Sequence, residues 1–246
     1  MNKIVRLFES LDIFHTKDDF SSLIKKLQFP QTSIVVSFLN AHALNIACDN
    51  EDFFSNLIDS DFLLRDGIGI KLSMKFLGNS PGLNMNGTDL IPRFVEELKD
   101  RRLALFGTQS PWLDVATDKM AEKGIDVVCS HHGFSPIEDY VRIANDFHPE
   151  LIILGMGMPK QEAVAASLKN NLECPAIIIN GGAIFDFMAG RFPRSNMLWR
   201  KTGLEWLFRL INEPKRMWRR YLLGGAVFAC RIIFLRVQQI FDIQRL

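Results

Sequence analysis

The stretch Leu151-Ile152-Ile153-Leu154-Gly155-Met156-Gly157-Met158-Pro159-Lys160-Gln161-Glu162 decides the fold class. Four consecutive aliphatic residues without polar alternation mark a strand buried on both faces, as in a parallel sheet covered by helices. Glycines then let the backbone turn tightly, Pro159 suits the first turn of a helix, and Lys160–Lys169 continues with helical period. This strand–turn–helix unit recurs. Apolar runs at Ser33–Leu39, Phe62–Arg65, Arg102–Phe106, Asp126–Cys129 and Ala176–Ile179 alternate with amphipathic stretches that include Leu90–Lys99, Trp112–Lys123 and Ile137–Phe147. The alternation predicts an α/β fold, a Rossmann-like parallel sheet with helices on both faces.

Ligands of such sheets bind beyond the carboxyl ends of the strands. The residues there are Asn40-Ala41-His42, Asp66-Gly67, Gly107-Thr108, His131-His132-Gly133, Gly155-Met156-Gly157 and Asn180-Gly181-Gly182. Glycine-rich, polar turns following plain aliphatic strands predict one shared cleft.

Of the 246 residues 48% are hydrophobic and 23% charged, a globular composition long enough to bury a sizeable core. The charge is unevenly spread: 17 Lys and Arg against 25 Asp and Glu up to Gly190, then 12 against 3 from Arg191 onward. An acidic body with a basic tail predicts that the tail meets an anionic partner. Residues 1–195 read as the α/β catalytic domain and 196–246 as a basic, helical, membrane-associating appendage. Within the appendage Leu204–Leu210 is helical, Pro214 opens a further helix, and Lys215–Tyr221 (KRMWRRY) is basic and aromatic. Leu222–Ile240 is mostly apolar but carries Arg231 and Arg236, which suits a helix lying in the membrane interface better than one crossing the bilayer. An ordinary C-terminal helix packed on the body is the alternative. Cys48, Cys129, Cys174 and Cys230 form no CxxC pair and predict neither a disulfide framework nor a zinc site. Met1–Phe20 lacks the apolar core of a signal peptide, so the protein is expected on the cytoplasmic side.

Several residues could carry chemistry. Asp66 ends a buried strand, where a general base could meet a ligand; Asp is equally a favoured helix cap. Gly155 and Gly157, with Lys160 at a helix N-terminus, could hold phosphate, or merely make a tight turn. They complete neither a G-x-G-x-x-G fingerprint nor a Walker loop. Gly181 and Gly182 form a second such turn, and Thr88 or Asp89 in Asn86–Asp89 could simply cap a helix. Asp59-Ser60-Asp61 is a literal DxD, but it precedes its strand and so lies away from the expected cleft. His131 and His132, being adjacent, cannot face one metal from one element and read as loop residues.

Together these pieces resemble the WecG/TagA/CpsF glycosyltransferases (glycosyltransferase family 26). The resemblance rests on Leu39-Asn40-Ala41, Asp66-Gly67-Ile68-Gly69, Gly87-Thr88-Asp89-Leu90, Gly133-Phe134, Gly155-x-Gly157-x-Pro159-Lys160-Gln161-Glu162 and Gly181-Gly182-x-x-Phe185-Asp186. It continues through Gly190-x-x-x-Arg194, Gly203–Leu210 and Glu213–Tyr221. It implies inverting transfer of a hexose (N-acetylmannosamine, its uronic acid, or glucose) from a UDP-sugar to a sugar on an undecaprenyl-diphosphate carrier, in cell-surface polysaccharide synthesis. The family's proposed base aligns with Asp66, and its polar Asn and Gln align with Asn40 and Gln161. Arg209, Arg216, Arg219 and Arg220 match the arginines of a membrane-docking segment that reaches the nucleotide diphosphate. No metal or other cofactor is implied, nor a nucleic-acid partner; a homo-oligomer is compatible. Gly67, Gly107, Asp186 and Arg194 complete the expected binding set. The sequence departs from many relatives at Phe38-Leu39, at His42 (commonly Glu) and at Arg194-Ser195-Asn196 (commonly Arg-Ala-Pro), which bears on sugar identity.

Such a transfer needs a base for the acceptor hydroxyl and positive charge for the departing diphosphate. Asp66 would be the base. The arginines and the backbone N–H groups after Gly155 and Gly181 would hold the diphosphate, and Asn40 and Gln161 the sugar hydroxyls. Removing the tail after about Arg200 is expected to abolish activity with the body still folded. The competing readings are a nucleotide-dependent oxidoreductase on the same frame and a non-catalytic membrane adaptor; only an adaptor should tolerate Asp66→Asn.

Overall fold

The computed structural model describes residues 2–28 and 30–243. Its strands are β1 (Ile34–Leu39), β2 (Phe62–Arg65), β3 (Leu103–Gly107), β4 (Val127–His131), β5 (Leu151–Gly155) and β6 (Ile177–Asn180). They form one six-stranded sheet in the order β2-β1-β6-β5-β3-β4, with every pair parallel.

Alternation along each strand divides the core. Val36, Leu103, Leu105, Leu151, Ile153, Ile177 and Ile179 face one side, with Phe94, Met120 and Phe185. Val35, Ala104, Phe106, Ile152, Leu154 and Ile178 face the other, with Tyr140, Val164 and Leu168. Strands with both faces covered need no polar positions, which is why their sequence is continuously aliphatic. Burying each such side chain is worth about 1.5–3 kcal/mol. The chain leaves the middle of the sheet in both directions, β1 to β2 and β3 to β4, and β5 and β6 fill the gap. The crevice at the carboxyl ends opens at this reversal.

Some helices escape a sequence reading. Ala41–Asp49, whose polar stripe of His42, Asn45 and Asp49 lines the cleft, and Gly67–Phe76, which contains two glycines, both form. Packing between sheet and tail overrides weak propensity and periodicity there. The helix expected at Leu90–Lys99 spans Gly87–Glu97, because the Asn86 side chain accepts from the Asp89 N–H at 2.9 Å and starts it earlier. His131, expected in a loop, closes β4 opposite Phe106.

The tail consists of helices Met197–Thr202 and Glu205–Asn212, followed by Pro214–Trp218, a π turn at Arg219–Leu223, and Gly224–Ile243. Pro214 sits at the first turn, as expected. Pro214–Phe241 is long and apolar enough to cross a membrane, with a mean hydropathy of 1.4 in its most apolar stretch. One face of the last helix nevertheless packs on the body. Phe228, Ile232 and Leu235 are buried in a cluster with Leu44, Ala47 and Ile70. Asn45 Nδ2 donates to the Gly224 carbonyl at 2.7 Å, and Arg231 reaches the Asn45 carbonyl (2.8 Å) and Asp49 (2.5 Å). The opposite face exposes Ile233, Phe234, Val237, Ile240 and Phe241.

Candidate active site

The strand ends and the tail enclose a cleft of about 970 Å³. The body contributes Asn40, Asp66, Thr88, Thr108, the turns at Gly155–Met158 and Asn180–Ile184, Gln161 and Asp186; the tail contributes Glu205, Arg209, Arg216, Arg219 and Arg220. The turns expected to converge do converge, because parallel strands deliver all their carboxyl ends to one edge.

Asp66 occupies the cap position of the Gly67–Phe76 helix but makes no capping bond, so its carboxylate faces the cleft. Burial pushes its pKa above the ordinary aspartate value, and Glu205 adds to the rise. Arg209, a bond from Asn40 and Arg220 oppose it. The Asn40 amide is divided: Oδ1 accepts from the N–H groups of His42 and Ala43 at 3.0 Å each, capping the next helix, while Nδ2 donates to Asp66 Oδ2 at 3.4 Å. Asn40 therefore orients the carboxylate, where the sequence reading had it hold a sugar hydroxyl.

Gln161 is also on the cleft wall, yet its polar atoms serve the protein. Oε1 accepts from Gly157 N–H (3.2 Å) and Gly182 N–H (2.9 Å), and Nε2 donates to Glu162 Oε1 (2.8 Å). Those two backbone donors, expected to meet phosphate, are thus used internally. Asp186 accepts from Thr108 Oγ1 (3.1 Å) and pairs with Arg191 (2.9 Å).

The tail arginines line the same cleft. Arg209 pairs with Glu205 at 2.7 Å and donates to Thr88 Oγ1 at 3.5 Å. Its pKa is raised: burial disfavours its charge, but Glu205, Tyr221 and Asp66 outweigh that. Arg216 pairs with Glu213 at 2.7 Å. Arg219 and Arg220 carry no ion pair to a carboxylate among the described residues, and Arg220 Nε is buried without a hydrogen-bond partner. Uncompensated guanidinium groups at a cleft wall favour an anionic ligand.

Five residues expected at the site lie off the cleft wall. Lys160 turns away to donate to the carbonyls of Gly133 (2.9 Å) and Ser135 (2.7 Å), pinning the loop after β4. Asp89 receives Arg194 and, at 3.1 Å, Arg200, so both Asp89 and Arg194 fasten the tail to the body. The Gly67 N–H is taken by Asn84 Oδ1 at 2.9 Å. Gly107 passes so close to β5 that a Cβ would lie 2.3 Å from the Gly155 carbonyl oxygen; its role is steric. The DxD carboxylates are at the amino end of β2, where Asp61 accepts from the Val35 N–H and pairs with Lys169, both at 2.8 Å.

Other cleft residues were not assigned a role from the sequence. Phe134 is 70% exposed on the cleft wall. His42 is held down to about 4 by burial and by Arg220, and so is neutral at physiological pH. Arg191 had a signal, since it follows Gly190 directly in the motif that ends at Arg194.

A doubly wound parallel sheet whose strand-end crevice is lined by a buried carboxylate and unpaired arginines is that of an α/β enzyme with an anionic ligand site. The chain belongs to the Glycosyl transferase WecG/TagA/CpsF family, whose model matches residues 9–241. Among curated proteins it is similar to the N-acetylglucosaminyldiphosphoundecaprenol N-acetyl-beta-D-mannosaminyltransferase of Bacillus subtilis (strain 168). The two are 25% identical over 193 residues, covering 76% of this chain and 75% of that one. It is similar to the protein of the same name from Staphylococcus aureus (strain MW2), 23% identical over 185 residues, covering 73% and 72%. It is thus a glycosyltransferase, and neither the oxidoreductase nor the adaptor reading is retained.

Proposed function

We propose that the protein is an inverting hexosyltransferase of cell-surface polymer synthesis, taking its sugar from a UDP-hexose and passing it to an N-acetylglucosamine carried on a polyprenyl diphosphate. N-acetylmannosamine stands first among the candidate sugars because both relatives are named for it. The observation that carries the reading is the Asp66 carboxylate, uncapped and bonded by Asn40, in one cleft with Arg209, Arg219 and Arg220.

In the reaction Asp66 takes the proton of the acceptor hydroxyl as that oxygen bonds to the anomeric carbon. The bond from that carbon to the diphosphate oxygen breaks, and UDP departs with the electron pair. A base with a raised pKa accepts the proton near neutral pH more readily than an ordinary aspartate. Arg219 and Arg220 meet the charge developing on the diphosphate, and the reaction is expected to need no metal. Phe134 offers a flat apolar face to the nucleobase. The basic tail with its exposed apolar face would hold the enzyme peripherally on the cytoplasmic side of the membrane, beside the lipid carrier.

The test measures UDP release from a panel of UDP-hexoses with a short-chain polyprenyl-diphosphate-N-acetylglucosamine acceptor, with and without a chelator. Acceptor-dependent, chelator-resistant release that is lost in Asp66→Asn is expected. Release undiminished in that variant removes Asp66 as base. Release abolished by the chelator removes the metal-free scheme.

A further inference from the structure

Glu162 takes no part in the chemistry above, yet it is 2% exposed, an expensive setting for a carboxyl. Its surroundings account for its presence. The Gln161 amide bridges the two glycine turns of the cleft by accepting from Gly157 N–H and Gly182 N–H. Gly157 (φ +83°) and Gly182 (φ +60°) are both left-handed, a backbone conformation that depends on glycine. An amide can bridge in this way only with its oxygen toward the two donors. Reversed, it would set an NH2 group against two N–H groups. The group that fixes its orientation is Glu162 Oε1, which accepts from Gln161 Nε2 at 2.8 Å.

We infer that Glu162 is a positioning residue: it orients Gln161, which pins the Gly155–Met158 and Asn180–Ile184 turns against each other and so shapes the body wall of the cleft that the donor nucleotide fills. The inference rests on the donor proposed above only for the identity of that ligand. Burial raises the Glu162 pKa to about 7, with the bond from Gln161 lowering it, so the acid form is readily populated. Either form can accept from Gln161 through Oε1. A glutamine at 162 preserves that acceptor, whereas a methionine of similar length removes it.

The test has one readout on the ligand-free protein and one on ligand binding. Amide exchange at Gly157 and Gly182 in the ligand-free protein should quicken about tenfold in Glu162→Met and in Gln161→Met, and stay near wild type in Glu162→Gln. UDP affinity, measured by calorimetry, should weaken by a similar factor in the two methionine variants. The double variant should be no weaker than Gln161→Met alone, since Glu162 acts through Gln161. Independent losses that multiply in the double variant, or unchanged exchange in Glu162→Met, overturn the inference. So does faster exchange with unaltered UDP affinity, which would make the bridge structural only. If Glu162→Met does not fold, Glu162→Gln and Gln161→Met still decide: loss of the Gly157 and Gly182 protection in the former, or its retention in the latter, refutes the clamp. A wild type that keeps this protection but binds no UDP would sink the donor reading and leave the clamp standing.

Discussion

Replacing Asp66 by Asn keeps the shape of the cleft and removes the proton acceptor. The introduced amide can still meet the Asn40 side chain, which lies 3.4 Å from the native carboxylate, so the wall should survive. General-base assistance contributes about 10²–10⁴-fold, or about 3–5 kcal/mol of barrier. Turnover in Asp66→Asn should fall by that factor with little change in the KM of the donor, because the base acts on the acceptor hydroxyl and not on the diphosphate. The pH profile gives a second handle. Only ionised Asp66 acts as base, so turnover should fall as pH drops through its pKa. Burial and Glu205 raise that pKa, placing the acid limb above the ordinary aspartate range, while Arg209 holds it down. Arg209→Met removes the largest opposing influence and should move the limb to still higher pH. The assay is steady-state UDP release between about pH 4 and 9, with folding checked by circular dichroism. Wild-type turnover in Asp66→Asn, or an acid limb that moves down in Arg209→Met, would refute the assignment.

Glu162→Gln should stabilise the protein at pH 8 and do little at pH 4. The folded pKa of about 7 lies above the ordinary value of 4.5, so the wild type is penalised as pH rises through this window, by about 3 kcal/mol once it is fully ionised; thermal melts at the two pH values check the sign. Gly107→Ala should destabilise by about 3 kcal/mol or more in chemical denaturation, since its Cβ would fall 2.3 Å from the Gly155 carbonyl oxygen, which the sheet holds in place. Phe134→Ala should raise the KM of the UDP-sugar about tenfold with turnover nearly unchanged, because one stacking face is worth about 1–3 kcal/mol. Phe234→Glu combined with Phe241→Glu should reduce sedimentation with anionic vesicles without lowering the melting temperature, both side chains being at least 60% exposed. Point substitutions are the sharper test of the tail, since truncation would uncover the cluster in which Phe228, Ile232 and Leu235 are buried.

The sheet was legible in the sequence because its cause is local. A strand covered on both faces must be aliphatic throughout, so LIIL and its counterparts show themselves without reference to partners. The same logic placed Asp66, Gly155 and Asn180 at strand ends, and so on one edge. The Gly67–Phe76 helix was illegible because its two glycines weaken the local signal and non-local packing makes it. What the sequence could not determine is which of several adjacent polar groups faces the ligand. Lys160 and Gln161 are neighbours, yet Lys160 staples a loop after β4 and Gln161 joins two turns, each having found acceptors or donors supplied by distant segments. Asp89 and Arg194 read as ligand contacts, and in the fold they pair with each other off the cleft wall. The order of apolar runs and the distribution of charge along the sequence determined that this chain has a parallel α/β body and a basic, apolar tail. Tertiary structure alone decided that the tail's arginines line the same cleft as Asp66, because that juxtaposition depends on how the last helix packs against Ala41–Asp49, and no local sequence pattern encodes a contact between segments so far apart.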